Sequence, residues 1–118
     1  MHGGQALATR RRQQDSIAIL YPKGSFFGDA ETDELQQAIL AEAAAGNQRL
    51  ILNLAECEAL NSIAIGVLMR AFTNYRGRGG DIRLCGMSRR LVDLFTMTKL
   101  IHVFGHFDSE EEAIASFA

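Results

Sequence analysis

Cysteine and proline are scarce in this sequence, and each scarcity narrows what the chain can be. Only Cys57 and Cys85 occur in 118 residues, with no CxxC pair and no cysteine-rich frame. Both lie in apolar surroundings, "LAECEAL" and "IRLCGM", which reads as two buried reduced thiols rather than a disulfide. The single proline, Pro22, falls near the end of an extended segment or in a bulge, where a missing N–H is tolerated. The opening "MHGGQALATRRRQQ" has no apolar stretch of the kind a secretory leader needs, and no apolar run is long enough to span a bilayer. A reducing cytoplasm is therefore the expected location. The net charge of −2 gives no overall case for nucleic acid or an anionic membrane as partner.

Phosphate-cradling and nucleophile motifs are missing too. There is no GxxxxGK[ST], no GxGxxG and no GxSxG, and nothing in the sequence pairs a nucleophile with a base and an orienter. The chain is expected not to be an enzyme and to need no cofactor. No repeat, linker or low-complexity tract divides it.

What is present is the composition of a globular chain, 47% hydrophobic and 22% charged. A chain of this length buries roughly two thirds of its unfolded surface, enough for one core and no second. A single domain over residues 1–118 is expected, with 1–13 as an N-terminal strand or arm.

Periodicity sets the order of elements. "QALATRRRQQD" and "SIAILYPKGSF" read as two extended segments, the second with Ile17, Ile19 and Tyr21 alternating with smaller neighbours. "AETDELQQAILAEAAAGN" repeats Leu35, Ala38, Ile39 and Ala43 at helical spacing, has acids in its first turn and stops at Gly46-Asn47. "RLILNLAEC" is an apolar run suited to a buried strand. "SIAIGVLMRAFTNYRGR" is a helix whose face of Ile65, Leu68, Phe72 and Tyr75 opposes Arg70, Thr73 and Arg76, with a glycine stop in "GRGG". "DIRLCG" is a strand, and "SRRLVDLFTMTKL" is a helix capped by Ser88, with Leu91, Leu94 and Phe95 inward. "IHVFG" reads as a last strand. "DSEEEAIASFA" is a helix with a capping box, Ser109 and Glu112. The order ββαβαβαβα implies an α/β fold: a mixed, mostly parallel sheet of about five strands with about four helices packed on it, the first strand at an edge.

The stretch "ALNSIAIGVL" interrupts an apolar run with Asn61-Ser62, where a buried strand hands over to a helix. Either residue could cap the helix N-terminus. The same place, the carboxyl end of a parallel strand, is also the rim where α/β sheets bind partners and ligands. A phosphate on a hydroxyl there would add about −1.5 to −2 charge without disturbing the core. Local chemistry leaves cap and switch both open.

Other constellations read more plainly. His102 and His106 lie in a segment read as strand and turn, with no third ligand nearby, so they count as one edge and one turn histidine rather than a metal site. "TRRRQQ" reads as a solvated edge that blocks unwanted pairing. "RGRGGD" is explained by a helix stop and a turn, and "DSEEE" complements a helix N-terminus.

The stretches "LILNLAECEALNSIAIGVLMRAF" and "GGDIRLCGMSRRLVDLFTMTKLIHVFGHFDSEEEAI" resemble the STAS domain family, and within it the bacterial anti-sigma factor antagonists. The likeness runs from about residue 14 to the C-terminus. The family pattern is an apolar strand ending in Asp-Ser-Ser-Gly-Leu-Gly and leading into a helix. By position Ser62 matches the first serine and Gly66 the last glycine. Asn61 stands for the aspartate, Ile63 for the second serine, Ala64 for the first glycine and Ile65 for the leucine.

In such antagonists the first serine is phosphorylated by a partner anti-sigma factor that is itself a serine kinase. The unmodified form binds that kinase and displaces the sigma factor, and the phosphorylated form lets go. The resemblance thus implies that Ser62 is the phosphoacceptor and Asn61 the cap that presents the loop. It implies a contact surface of Asn61, Ser62, Ile63, Ala64, Arg70 and Asn74. The partner is then a protein, with ATP and Mg²⁺ on the partner's side, and neither nucleic acid nor membrane insertion is involved. The oligomeric state is left open. The alternatives are a STAS scaffold or regulatory module of a transporter or signalling complex, in which the serine is only a cap; a nucleotide or small-ligand module at the same rim; and an enzyme without a recognisable motif.

Overall fold

Alternation along the central strands sends one set of side chains to each face of a sheet, and each set finds its own helices. The computed structural model describes residues 9–118. Strands are β1 (Thr9–Gln14), β2 (Ile17–Pro22), β3 (Gly24–Phe26), β4 (Arg49–Asn53), β5 (Cys57–Leu60), β6 (Asp81–Cys85) and β7 (Gly105–Phe107). Helices are α1 (Ala30–Ala44), α2 (Ser62–Gly77), α3 (Arg89–Met97) and α4 (Glu110–Ala115), with one 3₁₀ turn at Leu100–His102. The main sheet has five strands in the order β1-β2-β4-β6-β7. β1 pairs antiparallel with β2 at the edge, and the other neighbours are parallel. This is the mixed sheet with four helices that the sequence implies.

On one face Ala18, Leu20, Leu50, Leu52, Ile82 and Leu84 meet Leu35 and Ile39 of α1, Ala64, Leu68 and Tyr75 of α2, and Leu91 and Phe95 of α3. On the other, Ile17, Ile19, Ile51 and Cys85 are covered by Ala113 of α4 and by Phe117. The Tyr75 hydroxyl donates to the Ile39 carbonyl at 3.1 Å, which ties α2 to α1 inside the larger core. Cys57 and Cys85 are free and buried. Burial pushes their thiols up to about 11 and about 12.

The local signals hold at the helix ends. α1 stops at Gly46 (φ 87°), with the Asn47 N–H returning to the Glu42 carbonyl. Ser88 caps α3, and Ser109 and Glu112 form the capping box of α4.

Four readings need correction. "SIAILYPKGSF" is two strands, because the chain turns after Pro22 through Gly24 at φ +99°. "RLILNLAEC" likewise breaks after Asn53, and Cys57–Leu60 forms β5, paired with β3 in a second, two-stranded sheet. "IHVFG" is not a strand: Leu100–His102 make a 3₁₀ turn after Lys99 in the left-handed region (φ 64°), and pairing begins only at Gly105. Phe104 is drawn inward against Phe72 and Phe95, at 4.8 and 6.1 Å between ring centroids. His102 therefore ends a turn and His106 lies on an edge strand.

The arginines of β1 are, finally, not merely solvated. Arg10 pairs with Glu56, Arg11 with the buried Glu42 of α1, and Arg12 with Glu110 of α4. The edge strand is thus fastened to a helix on each face. Residues 5–8 of the first predicted segment, and the rest of the proposed arm before Thr9, lie outside the described residues.

Candidate functional site

Two chain segments leave the small sheet side by side. β3 runs into Phe27, Gly28 and Asp29 and then α1; β5 runs into Asn61 and then α2. Because β3 and β5 pair in parallel, with Phe26 opposite Leu60, both exits lie at the same end. The Asn61 N–H donates to the Phe26 carbonyl at 3.1 Å and continues the ladder by one bond.

Asn61 is the cap of α2. Its backbone is extended (φ −107°, ψ −176°), and its Oδ1 accepts from the N–H groups of Ile63 and Ala64, each at 3.1 Å. Its Nδ2 donates to the Phe27 carbonyl at 2.9 Å, so the same amide binds helix and neighbouring loop. An aspartate could perform the first task but not the second, since a carboxylate has no donor. The opposite loop is held by the Gly28 N–H donating to Thr32 Oγ1 at 2.8 Å.

With Asn61 capping, Ser62 is left over. It is the first residue of α2, exposed, and its hydroxyl makes no hydrogen bond with any other described residue. No acid lies in the first turn of α2, so the positive end of the helix is uncompensated there. No His, Asp or Glu is hydrogen-bonded to the hydroxyl, so nothing among the described residues activates it as a nucleophile.

The other predicted residues divide. Ile63 is 57% exposed and lies against Gly28, whose added Cβ would come 2.9 Å from Ile63 Cδ1 and Cγ2. Ala64 is fully buried in the helix-side core, so its predicted place on the contact surface is corrected: it packs, and offers nothing to a partner. Arg70 and Asn74 are exposed further along α2 and line a groove between α1 and α2 with Gln36, Leu40, Val67 and Ala71. That groove holds about 180 Å³, less than the roughly 300–1,000 Å³ usual for small-molecule sites.

Phe27, 51% exposed beside the rim, and Leu40, 46% exposed at the groove, were not singled out from the sequence. The adjacent Phe26-Phe27 pair before Gly-Asp is the signal that could have found the first: alternation lets only one of the two face the core. Among the described residues, no group of three or more His, Cys, Asp or Glu side chains converges as a metal site would require. No helix among them is long and apolar enough to cross a membrane.

Comparison with known proteins agrees with the fold. The family model of the STAS domain matches residues 8–113. A relative in Bordetella bronchiseptica, BtrV, provisionally named an anti-sigma factor antagonist, is 23% identical over 88 residues, covering 75% of this chain and 76% of that protein. Among solved structures, a protein of Thermotoga maritima, also provisionally named an anti-sigma factor antagonist, superposes with a TM-score of 0.85 at 18% identity over 92% of each chain. The Bacillus cell fate determinant SpoIIAA in its phosphorylated form superposes at 0.72, with 16% identity over 94% of this chain and all of that one.

Proposed function

This chain belongs to the STAS domain family, and from that premise we propose that it is an anti-sigma factor antagonist acting by partner switching, with Ser62 as its phosphoacceptor. The observation that carries the reading is the division of labour between Asn61 and Ser62. Asn61 provides the cap, so the serine is not required by the helix and its exposed hydroxyl is available. Support also comes from relatives named for this activity and from a phosphorylated protein of the same fold.

The partner is a kinase-type anti-sigma factor carrying ATP and Mg²⁺. The Ser62 Oγ attacks the γ-phosphorus; the bond from that phosphorus to the bridging oxygen breaks, ADP leaves, and the hydroxyl proton passes to a base on the kinase. The chain itself is acted upon. In the unmodified state Ile63 and Phe27 supply apolar contact around the serine, and Arg70, Asn74 and Leu40 extend the surface along the groove. Release follows phosphorylation because a dianion in a desolvated interface is costly unless the partner pairs it.

The test is capture with wild type, Ser62→Ala and Ser62→Asp as baits, in lysate of the source organism. A kinase-like anti-sigma factor held by the first two and lost from the third is the expected result. If all three hold the same partner, such as a permease or sensor subunit, or if none holds any, the switch is wrong and the domain serves as a scaffold.

A further inference from the structure

The guanidinium of Arg70 folds back along α2 rather than standing away from it. A Cβ built on Gly66 would meet Arg70 Nη1 at 3.5 Å, so the charge of residue 70 sits beside residue 66. Helical side chains lean toward the N-terminus of their helix, which gives this direction. Gly66, with no side chain of its own, leaves the place open. Arg70 makes no ion pair or hydrogen bond with any other described residue. Arg76, by contrast, faces Asp81 at 3.7 Å and lies over the Phe72 ring.

Ser62 stands one turn before Gly66. Residues 62, 66 and 70 follow one another at i, i+4 spacing, about 5–6 Å apart between Cβ positions. A phosphate on the Ser62 Oγ would put three acceptor oxygens and about −1.5 to −2 charge on the same helix face one turn before that open place, and the backward lean of Arg70 aims its guanidinium toward it. We propose that Arg70 is the intramolecular counter-ion of phosphorylated Ser62, reached across the side chain that Gly66 lacks. The inference rests on the reading of Ser62 as phosphoacceptor.

The consequence is a change at two places from one modification. In the unmodified chain Arg70 lines the α1–α2 groove and is open to a partner. Once Ser62 carries phosphate, the guanidinium already lying beside Gly66 is held by it, since charge-assisted and bidentate pairing with phosphate is what this group does best. The rim gains a dianion and the groove loses its cation. Arg70 reads the phosphate and takes no part in its transfer.

The experiment needs no kinase. Phosphoserine is incorporated at position 62 of the full chain during synthesis, and the phosphate is titrated by phosphorus NMR in the wild type, Arg70→Ala, Arg70→Lys and Arg76→Ala. The second ionisation of a free phosphoserine lies near pH 6, and a neighbouring cation lowers it. Expected is a midpoint about 0.5 to 1 pH unit higher in Arg70→Ala than in the wild type, with Arg70→Lys recovering at least half of the difference and Arg76→Ala matching the wild type. An unchanged midpoint in Arg70→Ala overturns the proposal. So does an equal rise in Arg76→Ala, which would be net charge alone, or a lysine variant no different from alanine. Failure here leaves the capture result standing, and failure of the capture leaves the titration standing.

Discussion

The Asn61 amide joins two loops that are far apart in sequence: its Nδ2 donates to the Phe27 carbonyl at 2.9 Å while its Oδ1 holds the first N–H groups of α2. Neighbouring residues 61 and 62 should therefore respond very differently to mutation. Asn61→Ala is expected to cost about 1–2 kcal/mol, the usual range for losing a cap. Ser62→Ala should stay within about 0.5 kcal/mol of wild type, as for an exposed residue without partners. Urea unfolding of both variants measures the difference, and equal losses would make Ser62 a structural residue after all.

Asn61→Asp restores the residue usual in the family and tests the second task of the amide. Asp and Asn cap about equally well, so the loss comes from the donor to Phe27. A net cost of about 0.5–1.5 kcal/mol is expected, the ordinary worth of one hydrogen bond. Amide exchange should quicken at Gly28 and leave the main sheet unaffected.

Gly28 has φ +92° and lies under Ile63. Gly28→Ala meets both obstacles, a left-handed backbone and a Cβ with no room, and should destabilise by about 1–3 kcal/mol. Adding Ile63→Ala removes the collision but not the strain. The double variant should recover part of the loss, with a coupling of at least about 0.5 kcal/mol in a mutant cycle.

Glu42 gives the fold an acid-sensitive fastening. Burial works against its carboxylate, but hydrogen bonds from Arg11 and Asn47 outweigh that, and its pKa is held below the ordinary value. A depressed carboxyl contributes stability that is present above the unfolded-state value, about 4.3, and is lost as pH falls through the lower folded value. Glu42→Gln should be less stable than wild type at pH 7, and the gap should narrow below about pH 4. Denaturation at a series of pH values checks this; a gap that stays constant counts against the fastening.

Cys57 and Cys85, with thiols raised to about 11 and about 12 by burial, should be nearly inert in the folded chain at pH 8. A thiol-exchange reagent should label both only at the rate of unfolding, and fully in denaturant. Fast labelling of either in native buffer would mean that the core opens locally.

How much of this was legible depends on the range of the interaction. Caps and stops act over three or four residues, so Ser88, Ser109 with Glu112, and Gly46 could be read directly. The β3–β5 sheet could not: it joins residues 24–26 to 57–60, and strands of three and four residues carry too little alternation to announce themselves. "IHVFG" misled because a short apolar run suits strand and turn alike, and Phe104 is buried by aromatic partners on other elements. Asn61 and Ser62 posed a different difficulty. Both are good caps, and only the extended backbone at Asn61 decides between them. Ala64 was misplaced because position in a motif gives no helical phase, and its phase points into the core.

The small two-stranded sheet has a mutational corollary. Phe27 and Asn61 project from β3 and β5, which form no ladder with the five central strands. Residues on this separate bracket can drift without altering a single rung of the main sheet. A substitution at Phe27 or Asn61 thus changes the surface at the rim while the ladder of the five-stranded scaffold stays whole.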